Sequence, residues 1–135
     1  MLNIDFNNIR FINGSANDGF EEFVCQLARR EKISCTKTFV RKGKPDGGVE
    51  CYWPLEDGSI VAWQAKYFCK AFDDSQYQQI DRSVKEALNS HTNLRRYVIA
   101  VPVYESNIIK INIQHKCHFY TVLYSLMCIM PNQTL

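Results

Sequence analysis

No two of the six cysteines form a C-x-x-C pair. A dithiol redox centre of that type is therefore not encoded, and the only Cys/His cluster, His115, Cys117 and His118, has a spacing that fits no usual zinc pattern. Cys25, Cys35, Cys51, Cys69, Cys117 and Cys128 are scattered, several of them inside apolar stretches. That is how buried free thiols of a reducing, cytoplasmic compartment are placed, and it argues against a redox or metal-sensing protein. Met1 to Arg10 alternates polar and apolar residues and does not read as a signal peptide. The longest apolar run, Phe119 to Met130, is too short to span a bilayer and is broken by Thr and Ser, so no membrane partner is expected. No repeat or low-complexity segment occurs. A formal net charge of only +2 excludes a general polycation.

What is present fits one globular domain: 135 residues, 46% hydrophobic and 22% charged. The charge is uneven. Arg29, Arg30, Lys32, Lys37, Arg41, Lys42 and Lys44 crowd one segment, opposed mainly by Glu31. Such a segment is either a phosphate-backbone footprint or a solvated helix end and loop. Before it, Phe20, Phe23, Val24, Leu27 and Ala28 recur at three- and four-residue spacing. The spacing predicts a helix with one apolar stripe, N-capped by Asn17 or Asp18, with Glu21 and Glu22 in its first turn, ending near Arg30 to Lys32. Ile33 to Arg41 reads as a short strand.

The centre of the chain is Asp46 to Phe68. Val49–Leu55 and Ser59–Phe68 are rich in β-branched and aromatic residues, and Asp57-Gly58 between them is a hairpin signal. A turn centred on Glu56 and Asp57 sets Glu50 opposite Gln64. Residues opposite each other, or two apart on one strand, share a face. Glu50, Gln64 and Lys66 therefore present a carboxylate, an amide and an ammonium on one side of the sheet. Pro45-Asp46-Gly47-Gly48 lets the backbone bend into the first strand.

An acidic residue, a hairpin and then Gln-Ala-Lys resembles the PD-(D/E)xK nuclease superfamily. GGVE followed by WQAKYF is similar to its Mrr-like branch, in which Gln replaces the acidic residue before x-Lys. GFEEFVCQLA resembles that branch's first helix. The resemblance covers Asn17 to Val103. It implies a restriction-endonuclease-like three-layer α/β core, a mixed central sheet flanked by helices. It implies Glu50 as a metal ligand, where the branch more often has Asp, Gln64 as the second ligand and Lys66 as the catalytic lysine. Glu21, with Glu22 adjacent, takes the position of the helix glutamate that reaches the metal, and Asp46 is a further carboxylate. The ion implied is Mg²⁺ or Mn²⁺, the substrate double-stranded DNA, and Arg41, Lys42, Lys44 and Gln78 are the expected phosphate contacts. A homo-oligomer that cuts both strands is one arrangement this allows, and the branch includes effector domains of bacterial antiviral NTPases.

Beyond the hairpin, Asp74 or Ser75 starts a predicted helix, Gln76 to Asn89, with Ile80, Val84, Ala87 and Leu88 as its stripe. Tyr97 to Val103 is a continuous apolar strand, predicted parallel to its neighbour through the helical crossover. Residues 1–103 thus read as the nuclease-like domain. Residues 104–135 depart from the family: Ile109, Ile111 and Ile113 alternate as in an edge strand, and Phe119 to Met130 is either strand or buried helix. The tail reads as a truncated or variant end of a longer, multidomain protein. A competing expectation is an inactive module of the same fold that binds DNA or a protein.

Overall fold

A computed structural model describes residues 5–33, 37–68 and 73–102, together with the backbone of 120–125. After a single 3-10 turn at Phe6–Asn8 come α1 (Ala16–Arg30), β1 (Val40–Arg41), β2 (Cys51–Pro54), β3 (Ile60–Ala65), α2 (Asp74–Ser90), β4 (Leu94–Val101) and β5 (Tyr120–Ser125). Among the described residues the five strands form one sheet in the order β1-β2-β3-β4-β5. The first two joins are antiparallel and the last two parallel, so the sheet is mixed.

The hairpin forms where expected. Cys51 faces Trp63 and Tyr52 faces Ala62, and the strands close at Pro54 opposite Ile60. Leu55 N–H donates to the Ser59 carbonyl at 2.8 Å, and the Asp57 carboxylate accepts from Ser59 N–H at 2.9 Å. Gly58 takes the left-handed conformation (φ 87°) that the turn requires. The strands, Cys51–Pro54 and Ile60–Ala65, are shorter than their apolar runs suggest.

Alternation along β3 and β4 separates two cores. Val61, Trp63, Ala65, Val98 and Ala100 pack with Phe20, Val24, Cys25 and Ala28 of α1. Ile60, Ala62, Tyr97, Ile99 and Val101 pack with Ile80, Val84 and Ala87 of α2. The helices therefore cover opposite faces of a sheet buried on both sides: a three-layer α/β arrangement. Trp53 ties β2 to the end of α1, its indole N–H donating to the Ala28 carbonyl at 2.8 Å.

Several boundaries differ from the sequence reading. The N-cap of α1 is Ser15, whose hydroxyl accepts from Asp18 N–H at 3.2 Å; Asn17 and Asp18 lie inside the helix. Asp18, not Glu21 or Glu22, is the acid in its first turn. Asp73 caps α2 through a reciprocal capping box with Gln76, so the helix starts at Asp74, earlier than its apolar stripe indicates. Of the strand expected over Ile33–Arg41, the described residues form a regular strand at Val40–Arg41, and Lys37 N–H adds a bond to the Pro54 carbonyl at 2.9 Å. β4 begins at Leu94, before the apolar run, because its first residues pair with Ile60 and Val61. The Phe119–Met130 alternative resolves to strand at Tyr120–Ser125, parallel to β4. Val103, Ile109, Ile111, Ile113, His115, Cys117, His118, Cys35, Cys69 and Cys128 lie outside the described residues. Among those described, no helix is long and apolar enough to cross a membrane.

Candidate active site

The paired register ends at Cys51–Trp63, and the Glu50 N–H, one residue before β2, bonds to the Trp63 carbonyl at 2.8 Å, which holds Glu50 against the end of β3 that carries Gln64. Lys66 follows two residues later, its own N–H bonded to the Ala100 carbonyl of β4 at 3.0 Å. The polar trio read from the sequence is thus assembled at the end of the two central strands. Glu50 and Gln64 are buried, 6% and 5% exposed. Each has a side-chain oxygen, Glu50 Oε1 and Gln64 Oε1, that is shielded from solvent and accepts no hydrogen bond. A buried unpaired acceptor is costly, and a water or an ion at these oxygens would relieve that cost.

The turn before β2 brings the remaining acids. Asp46 Oδ1 accepts from Gly48 N–H at 3.0 Å, which folds the turn back on itself. Gly48 has φ 79°, and a Cβ there would stand 2.7 Å from the Ser83 carbonyl oxygen of α2. The Gly48 carbonyl in turn accepts from the buried Tyr97 hydroxyl. Sequence reasoning missed this anchor. Its signal was a tyrosine in an otherwise aliphatic, fully buried strand, whose hydroxyl must find a partner.

From α1, Glu21 and Glu22 diverge. Glu22 pairs with Arg41 and accepts from Gln26. Glu21 lies nearer the acids of the turn, 3.9 Å from the Lys44 ammonium, which is itself 3.1 Å from Asp46 Oδ2 and 3.7 Å from Glu50 Oε1. Lys44 therefore sits among Glu21, Asp46 and Glu50. Of the expected phosphate contacts, Arg41 and Lys44 are engaged by acids of the same chain. Lys42 is half-buried, with its N–H bonded to the Glu50 carbonyl at 2.8 Å, and Gln78 is exposed on α2.

Charge and burial set the protonation of the site. Burial, then the neighbouring Glu21, push the Glu50 carboxyl up to about 7, against the pull of Lys44. Burial lowers the Lys66 ammonium despite attraction from Asp46 and Glu50. Burial also works against the Lys44 ammonium, but the hydrogen bond to Asp46 and the charges of Glu50 and Glu21 outweigh it and raise it. Burial likewise opposes ionisation of Asp46, yet the Gly48 N–H and Lys44 hold it below its ordinary value. Glu86 of α2 also faces this site, close enough to act on both Lys66 and Tyr97. Cys25 and Cys51, buried and free, lie together beside it.

A raised carboxylate has a testable consequence for stability. Glu50 favours the folded state in its protonated form, so its contribution is full below about pH 4.5 and is lost as pH rises through about 7. Glu50→Gln is expected to leave stability near pH 4 almost unchanged and to raise it at pH 8 by on the order of 2–3 kcal/mol in EDTA. Urea titrations at the two pH values check this; equal effects at both would contradict a buried, raised carboxyl.

The donors present suit a hard divalent cation. Glu50, Asp46 and Glu21 offer carboxylate oxygens and Gln64 an amide oxygen, and the two unpaired acceptors are among them. Among the described residues no three acidic, histidine or cysteine side chains converge into a metal cage by themselves. Comparison with protein-family models, with curated proteins and with solved structures returns no match.

Proposed function

We propose that the chain is a metal-dependent endonuclease acting on double-stranded DNA. The observation that carries the reading is that Glu50 and Gln64, at the same end of the hairpin, each bury an unpaired oxygen, with Lys66 just past the end of β3. Glu50, Gln64 and Asp46, supported by Glu21, would hold Mg²⁺ or Mn²⁺. The ion, when bound, supplies a water of lowered pKa and polarises the scissile phosphate. Lys66 orients that water and offsets the negative charge that builds on the phosphate oxygens. Its half-buried position makes that charge count for more than it would in open solvent. Gln64 contributes an oxygen without a charge, so the ion is held less tightly than by an acidic residue and relies more on a DNA phosphate as a ligand. Lys42, Arg41 and Gln78 hold the backbone without reading sequence. Antiviral defence, cytoplasmic action and pairing of two copies to cut both strands extend the same reading.

One observation favours a second reading. Lys44 already neutralises the acids of the site, as in an inactive module that binds DNA or protein without cutting it. Supercoiled plasmid separates the two. The nuclease reading expects nicked and linear products with Mg²⁺ or Mn²⁺ and none with EDTA. It also expects a rate that climbs about tenfold per pH unit towards pH 7 and then levels, because Glu50 must lose its proton before an ion can bind. Intact plasmid with every divalent ion, alongside retained DNA binding, selects the inactive module.

A further inference from the structure

We propose that Lys44 is a built-in competitor for the divalent ion, seated among the acids when the ion is absent and displaced to solvent when it enters. The inference rests on the metal-site reading above and adds a residue that controls occupancy.

Two lysines serve this site, and they differ in kind. Lys66 is half-buried just past the end of β3, and its N–H is bonded to β4 at 3.0 Å. Lys44 stands on the loop before the turn. Its side chain is 70% exposed, yet its ammonium reaches carboxylates that are 12%, 7% and 18% exposed at Asp46, Glu50 and Glu21. A long side chain with its stem in water is not held by packing, so it can leave at little cost beyond the ion pairs themselves.

Its seat is also imperfect. An ammonium has three N–H donors, but only the contact with Asp46, at 3.1 Å, is a hydrogen bond. The contacts with Glu50 and Glu21, at 3.7 and 3.9 Å, are longer, and Glu50 Oε1 accepts nothing. Lys44 thus compensates the charge of the acids while leaving the acceptor on Glu50 open. A divalent ion binds oxygen at about 2.0–2.6 Å. It competes with the ammonium for the same cluster of carboxylates, because two cations drawn to that cluster repel one another. Entry of the ion and departure of Lys44 are one exchange, and the apparent affinity for the ion is lowered by the fraction of molecules in which Lys44 is seated.

The test measures Mn²⁺ binding directly, by the electron paramagnetic resonance signal of free Mn²⁺, at pH 8 and fixed ionic strength. Lys44→Gln is expected to bind Mn²⁺ about tenfold tighter than wild type. Lys42→Gln removes the same charge from the same segment without emptying the seat, and is expected to stay within about twofold. A gain in Lys44→Gln no larger than in Lys42→Gln, or no gain at all, overturns the competition; binding by wild type that Glu50→Gln abolishes would then leave the metal site itself standing. Absence of Mn²⁺ binding in both wild type and Lys44→Gln, with native circular dichroism spectra, overturns both. A readout on wild type alone keeps the proposal testable if the variant fails to fold. Acylation of Lys44 by an N-hydroxysuccinimide ester, followed by mass spectrometry, is expected to speed up on adding Mg²⁺, and an unchanged or slower rate counts against the exchange.

Discussion

Lys66→Ala is expected to reduce metal-dependent cleavage by on the order of 10²–10³-fold while leaving the protein folded. The reason lies in where Lys66 sits. Its ammonium is half-buried and its protonated state is disfavoured by burial, which Asp46 and Glu50 only partly offset. Removing it relieves a desolvation cost and takes away an attraction, so the net change in stability should stay within about 1 kcal/mol. Cleavage has no such compensation, because the charge that builds on a phosphate loses a cation held at the Glu50 and Gln64 end of the hairpin by its backbone. Plasmid relaxation, read together with a thermal melt and a DNA-binding isotherm, separates these effects. Equal cutting by wild type and variant would move the activity away from this site.

The second large effect is structural. Gly48→Ala is expected to destabilise the fold by about 3–5 kcal/mol and to lower the melting temperature by on the order of 10–20 °C. Two costs combine at one position. An L-residue is strained at φ 79°, and its Cβ would press against backbone atoms of α2, at 2.7 Å from Ser83 O and 3.0 Å from Ala87 N. Neither neighbour can rotate away, since both belong to the helix main chain. Gly58→Ala supplies the comparison. Its φ is 87° but nothing lies within 4 Å of the added carbon, so only the strain remains, about 1 kcal/mol. If calorimetry finds the two variants equally stable, the close packing of α2 on the turn is not what the geometry indicates. The effect also bears on function, because the same turn carries Asp46 on one side and Glu50 on the other.

The hairpin was legible in the sequence because every local signal agreed: β-branched strands, an Asp-Gly turn and a period of two that fixes which residues share a face. The α1 stripe and the apolar β4 were legible for the same reason. Helix starts were not, since Ser15 and Asp73 are capping residues set by hydrogen bonds that apolar periodicity does not report. Lys44 was read as a phosphate contact from its place in a basic run. Its position among Glu21, Asp46 and Glu50 depends on three segments meeting, which no single stretch encodes. The same holds for Arg41, whose partner Glu22 lies on α1. The Tyr97 hydroxyl on the Gly48 carbonyl spans 49 residues of chain, so the buried tyrosine was legible and its partner was not.

Strand order in the sheet is also chain order, β1 through β5. Each strand adds to an edge already laid down, so a chain emerging from the ribosome never has to insert a late strand between two early ones. Glu50 is bonded to Trp63, the neighbour of Gln64, as soon as the hairpin closes, but the Lys66 N–H finds its partner, the Ala100 carbonyl, once β4 is in place. A nascent chain that has reached the hairpin and not β4 carries the two oxygen donors without a fixed lysine. On the proposed nuclease reading, competence to cut would therefore switch on late in synthesis, after α2 and β4 have docked.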